Sequence, residues 1–113
     1  MLQKQGGNKY MATTELTSAN FAQNIQKEGI TLVDFWAEWC GPCQMQIPVI
    51  EELSQERSDI NVCTVDVDEE GSLAAQYAIA NIPALAFFKD GQMVKKMVGF
   101  HSREEIDMTL SSL

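Results

Sequence analysis

The stretch "WAEWCGPCQMQIP", residues 36–48, sets two tryptophans, two cysteines and two prolines within thirteen positions. Just before it lies "ITLVDF", residues 30–35, which is β-branched and aromatic and apolar on both faces except at Asp34. A strand of that composition is covered on both sides and sits centrally in a sheet. Gly41-Pro42 then opens a helix, because proline is tolerated in a first turn where its missing N–H would be unpaired anyway. Met45, Val49 and Leu53 recur at i, i+4 and i+8 and carry the helix onward, with Pro48 expected to kink it.

Cysteines three apart at a helix start lie close enough for a disulfide, which needs Cα atoms about 4.4–6.8 Å apart. The first of them, Cys40, stands where unpaired backbone N–H groups and the positive end of the helix dipole favour an anion. Thiolate is the nucleophilic form of cysteine. Position therefore predicts an asymmetric pair, with Cys40 the exposed attacker and Cys43, one turn in, the more buried resolver. The chemistry that fits is dithiol–disulfide exchange through a mixed disulfide. Closing so short a ring costs little chain entropy, which favours the second step over escape of the intermediate.

Two other uses of a Cys-x-x-Cys pair compete with this one. Zinc takes four ligands, and Cys63 with His101 is the set available to complete a Cys₃His site. No second paired knuckle accompanies them, and Cys63 falls in a strand. An inert core pair is disfavoured by the Gly-Pro between the thiols and by Trp39 beside them, which mark an exposed loop.

Outward from this segment the elements follow closely. Thr17 or Ser18 can cap a helix carrying Phe21 and Ile25, with Gly29 to end it. "INVCTVDV", residues 60–67, reads as a second buried strand, and Leu73 with Tyr77 as a short helix. "ALAFF" and "QMVKKMV" flank Lys89-Asp90-Gly91, and Asp-Gly is a strong hairpin signal. Ser102 and Glu105 have capping-box spacing for a last helix with Ile106, Leu110 and Leu113 facing inward. The order is (β)αβαβαββα. It predicts an α/β fold with a central mixed five-stranded sheet and four helices on its two faces. The strand–helix–strand part crosses over right-handed, so its strands are parallel.

Bulk properties agree. At 113 residues the chain suits one domain, and 45% hydrophobic content is that of a globular protein. A net charge of −8 argues against nucleic acid or an anionic membrane as partner, since either needs a basic face. No apolar run approaches the ~20 residues of a membrane span. The first residues, MLQKQGGNKY, are polar and lack the apolar core of a secretory signal. Residues 1–11 are read as a flexible N-terminal arm, with Met11 as an alternative start, and 12–113 as the domain. The expected location is the cytoplasm. Three cysteines, an odd number, do not suit a disulfide-stapled secreted framework.

"LVDFWAEWCGPC" closely resembles the active-site signature of the thioredoxin family, and the similarity runs over nearly the whole chain from about Thr17. Pro48, "NIPAL" around Pro83, "FFKDGQMV" and Gly99 match in order and spacing. The resemblance implies the thioredoxin fold and a monomeric protein disulfide reductase contributing to cell redox homeostasis. It implies no bound cofactor and no metal. Electrons would come from NADPH through thioredoxin reductase, and the partners would be that reductase and disulfide-containing proteins. It further implies that Asp34 exchanges a proton with Cys43, often through water. Ile82-Pro83 would form a cis-proline loop against the disulfide, with Ile82 offering its backbone to an extended substrate segment. Trp39, Gly41, Pro42, Ile82, Pro83 and Gly99, with Phe100, would make a small apolar docking surface around Cys40. Trp36, by contrast, reads as core packing.

The chain also departs from the family pattern. Thr64 occupies the position where many thioredoxins carry a lysine near the buried acid. Asp34, already in an apolar strand that disfavours ionisation, is then expected to have a pKa raised further. Gln44 replaces a common lysine or arginine after the second cysteine and removes a positive charge near the thiolate. Asn81 and Ala84 stand where glycine and threonine are frequent. Cys63 is expected to be buried and His101 to have no catalytic role. Two competing functions remain at this stage: an oxidant or isomerase of an oxidising compartment, and a redox-silent binding module on the same fold.

Overall fold

The computed structural model describes residues 13–113. The proposed arm, residues 1–11, lies outside the described residues. The elements are β1 (Thr14–Glu15), α1 (Phe21–Ile25), β2 (Ile30–Trp36), α2 (Gly41–Glu56), β3 (Ile60–Asp66), α3 (Gly71–Gln76), β4 (Ala84–Lys89), β5 (Gln92–Val98) and α4 (Arg103–Ser111). The sheet order is β1-β3-β2-β4-β5. β3 runs parallel to β1 and β2, β4 antiparallel to β2, and β5 antiparallel to β4.

β2 is central, as its composition requires, and every residue from Thr31 to Phe35 is buried. Its side chains alternate between two cores. Val33 and Phe35 join Cys63, Val65, Ala84, Ala86 and Phe88 beneath Phe21 and Ile25 of α1 and Leu73 of α3. Leu32 joins Val62, Leu85 and Phe87 beneath Ile50 and Leu53 of α2 and Ile106 and Leu110 of α4. On the first face Phe21, Tyr77 and Phe88 pack mutually at 5.2–5.7 Å between ring centroids, two of the three pairs edge-to-face. β4 is buried from Ala84 to Phe88 and so feeds both cores at once.

The connections follow local chemistry. Asp90 and Gly91 both take positive φ, 54° and 81°, which is the type I′ geometry of a two-residue hairpin. The capping box at α4 is complete: Ser102 Oγ accepts from Glu105 N–H at 3.2 Å, and Glu105 Oε1 accepts from Ser102 N–H at 2.9 Å. Leu113 packs against the second core, as expected.

Two expectations need correction. The N-cap of α1 is Asn20, not Thr17 or Ser18. Thr17 Oγ1 instead accepts from Ala19 N–H, and Thr17 C=O from Phe21 N–H, so a separate turn precedes the helix. In α2 the inward stripe is Cys43, Gln46, Ile50 and Leu53. Met45 is 62% exposed and Val49 only half-buried. The stripe is phased by Cys43, which has to face the sheet, and that rotation turns Met45 outward. α2 continues through Pro48 as one helix.

Candidate active site

The end of β2 delivers the chain through Ala37–Trp39 to the start of α2, and Cys40 is the N-cap residue in extended conformation. Its Sγ accepts from the Cys43 backbone N–H at 3.2 Å, so an otherwise unpaired amide of the first turn points at this sulfur. Cys40 and Cys43 are joined as a disulfide with Cα atoms 5.2 Å apart. The sulfur under that amide is therefore a disulfide sulfur here.

Cys40 is not the exposed residue that its position suggested: it is 4% exposed, against 0% for Cys43. Its Sγ turns inward against the Ile82 carbonyl at 3.8 Å, within a small cluster of Ala37, Cys43, Trp36, Val67 and Ile82. The difference in exposure has the expected sign and a small size in the disulfide form.

Three loops surround the pair. The Ile82-Pro83 peptide is cis, and Ile82 is half-buried over Cys40. Gly99 has φ of +89°, which excludes most side chains on backbone grounds, and its N–H donates to Pro83 C=O at 2.7 Å. Gly41 and Pro42 are exposed at the helix tip. Trp39 is 70% exposed, and its indole Nε1–H donates to Asp68 Oδ2 at 2.9 Å, which fixes the ring on the surface. Phe100 is 41% exposed. The structure thus gathers Trp39, Gly41, Pro42, Ile82, Pro83 and Gly99 around the disulfide, while Trp36 is half-buried beneath it.

Asp34 lies on the α2 side of β2, in alternation with Val33 and Phe35 on the other. It is fully buried, and neither carboxyl oxygen has a hydrogen-bond partner among the described residues. Burial pushes its pKa up to about 7. Thr64 is its direct partner in β3, so the position opposite the acid holds a neutral hydroxyl. A cavity of roughly 200 Å³ is lined by Thr13, Trp36, Ile47, Glu51 and Thr64, the last of these being Asp34's partner in β3.

Cys63 is separate from all of this. It belongs to the α1/α3 core, is fully buried and free, and burial pushes its thiol up to about 12. His101 follows the Gly99 loop, so the Cys₃His zinc set is not assembled; among the described residues no three potential metal ligands come together.

Sequence reasoning passed over Gln46. It is fully buried in α2, and its side-chain amide makes two hydrogen bonds to the His101 backbone, at 2.8 and 2.9 Å. The available signal was a polar residue three positions after Cys43, on the face that Cys43 turns toward the sheet.

The family model described as Thioredoxin matches residues 12–112. A thioredoxin from Staphylococcus saprophyticus is 48% identical over 97 residues, covering 85% of this chain and 92% of that protein. One from Alicyclobacillus acidocaldarius is 43% identical over 103 residues, covering 90% and 98%. Among solved structures, a mutant thioredoxin from Halobacterium salinarum superposes with a TM-score of 0.83 at 34% identity, covering 88% of each chain. Malassezia sympodialis thioredoxin superposes with a TM-score of 0.81 at 30% identity, covering 88% of this chain and 89% of that one.

Proposed function

We propose, since this chain belongs to the thioredoxin family and is a protein disulfide oxidoreductase with Cys40 and Cys43 as its redox-active pair, a division of labour between the two sulfurs. Cys40 is the nucleophile and Cys43 the resolving thiol. The observation that carries this assignment is the Cys43 N–H directed at Cys40 Sγ. A thiolate there gains a hydrogen bond and the helix dipole, while Cys43 has neither.

In the dithiol form Cys40 thiolate attacks one sulfur of a target disulfide. A mixed disulfide forms and the other target sulfur leaves as a thiolate, taking a proton from solvent. Cys43 then gives up its proton and attacks Cys40 Sγ. The intramolecular S–S bond forms, the mixed disulfide breaks and the second target thiolate departs. Two electrons pass to the target. Asp34 accepts the Cys43 proton; a carboxyl with pKa about 7 is matched to that task near neutral pH. The transfer would run through a water molecule, as the family resemblance implies.

Targets dock on the apolar surface of Trp39, Gly41, Pro42, Ile82, Pro83 and Gly99, with the Ile82 backbone pairing an extended segment. Reduction of the resulting disulfide draws on NADPH through thioredoxin reductase, and the protein acts as a monomer in the cytoplasm. No helix among the described residues is long and apolar enough to cross a membrane.

The test is capture. Cys43→Ser arrests the cycle at the mixed disulfide, so incubation with cell extract should retain target proteins on Cys40, released by dithiothreitol. Retention by Cys43 in a Cys40→Ser variant instead would reverse the assignment. A reduction potential well above that of the cytosolic glutathione pool would mark an oxidant and sink the reductase reading.

A further inference from the structure

We propose that Gln46 is a positioning residue: it sets the place of the loop Gly99–Phe100–His101 relative to the redox-active helix, and thereby the fit of protein substrates. This rests on the docking surface argued above and adds a residue that does not touch substrate.

The inward stripe of α2 is otherwise Cys43, Ile50 and Leu53. A primary amide in that company is costly unless all its polar atoms are bonded. Gln46 Oε1 accepts from His101 N–H at 2.8 Å, and Gln46 Nε2 donates to His101 C=O at 2.9 Å. One side chain thus satisfies both backbone groups of a single residue 55 positions away, in the manner of a neighbouring strand. A leucine would fill the same space but leave both His101 backbone groups without a partner on α2, so only the α4 cap at Ser102 and the Gly99 contact would place the loop. The amide gives up apolar contact and fixes a distance and an orientation.

The other end of the loop is held independently, by Gly99 N–H on Pro83 C=O at 2.7 Å. Phe100 therefore stands between two fixed points, one on the cis-proline loop and one on α2, three residues beyond Cys43. Its 41% exposed ring follows Gly99, which is tied to the cis-proline loop, with little freedom left to lose on binding.

The experiment compares Gln46→Met, Gln46→Glu and Phe100→Ala with the unaltered protein on two substrates. One is insulin, a protein disulfide that needs the docking surface. The other is 2-hydroxyethyl disulfide, too small to use it. Dithiothreitol supplies the electrons. Gln46→Met should raise KM for insulin about tenfold, the equivalent of roughly one buried hydrogen bond, with kcat and the small-disulfide rate within about twofold. Gln46→Glu keeps an acceptor for His101 N–H but turns an oxygen toward His101 C=O in a buried site, so its KM should rise at least as far as that of Gln46→Met; it decides the matter if Gln46→Met does not fold. An unchanged KM in the folded variants overturns the proposal, as does a parallel fall in both substrates' rates, which would place Gln46 in the thiol chemistry. If Phe100→Ala still raises KM while the Gln46 variants do not, only the positioning role is lost. If neither does, the docking surface falls with it.

Discussion

The two faces of the sheet bury polar groups on opposite terms. On the α1/α3 face Thr31 Oγ1 donates to Asn24 C=O at 3.1 Å, and Asn61 closes a small network with both, so that side is apolar packing plus satisfied amides. Its thiol, Cys63, is fully buried, and burial pushes it up to about 12. On the α2/α4 face Asp34 is buried with no partner among the described residues, and Gln46 hydrogen-bonds a loop outside the core. Both faces carry an apolar core, but on the α1/α3 face the buried Thr31 hydroxyl and the Asn24 and Asn61 amides are hydrogen-bonded to one another. The other carries a buried acid whose pKa burial raises to about 7.

The contrast breaks most visibly at the thiols. Cys40→Ser should reduce insulin turnover to the uncatalysed background, whereas Cys63→Ser should leave it within about twofold, since only the former faces a helix-terminal amide. Alkylation of the native reduced protein, followed by peptide mass mapping, should label Cys40 first and Cys63 last. Equal labelling would erase the distinction.

Next in size is the apolar face. Phe88→Ala removes a ring that packs edge-to-face on Phe21 and Tyr77, and should cost about 3–5 kcal/mol in urea unfolding. A loss below about 1 kcal/mol would mean that this face is not the chief source of stability.

Asp34→Asn should act in the other direction. Asp34 ionises near 3.8 when unfolded and near about 7 when folded. Between those values the folded chain holds a proton that the unfolded chain has released, so stability falls as pH rises through the window and the loss is complete above about 7. At pH 8 the substitution should therefore stabilise by about 4 kcal/mol, and well below 3.8 by little. The same change should slow resolution of the mixed disulfide on the order of a hundredfold. Denaturant midpoints that do not depend on pH in this way would show the carboxyl to be solvated.

The smallest effect sharpens the comparison. Thr64→Lys places an ammonium opposite Asp34 and beside the cavity, and should bring the carboxyl down by roughly 1 to 2 pH units. Carboxyl-carbon NMR titration reads this directly. A value in the unaltered protein near ~3.9 would overturn the raised pKa itself.

Several of these features were legible in the residues alone. β2 could be placed at the centre because "ITLVDFW" is apolar on both faces, which no edge strand sustains in water. Asp90-Gly91 fixed the hairpin, and Ser102 with Glu105 the cap, because both signals act within four residues. Where local patterns compete, the reading slipped. Met45, Val49 and Leu53 have helical spacing, yet the helix is phased by Cys43 and Gln46, so Met45 faces solvent. At α1 the Thr17 hydroxyl binds a nearer amide, and the helix begins later, after Asn20.

The chain's residues thus determined by themselves the order of elements, the central strand and the paired thiols at a helix start, since each depends on contacts between neighbours in sequence. Only the folded arrangement decided that Cys40 lies under Ile82, that Asp34 finds no partner among the described residues and that Gln46 holds His101. Those are contacts across tens of residues, set by how helices and strands pack, and no local period encodes them.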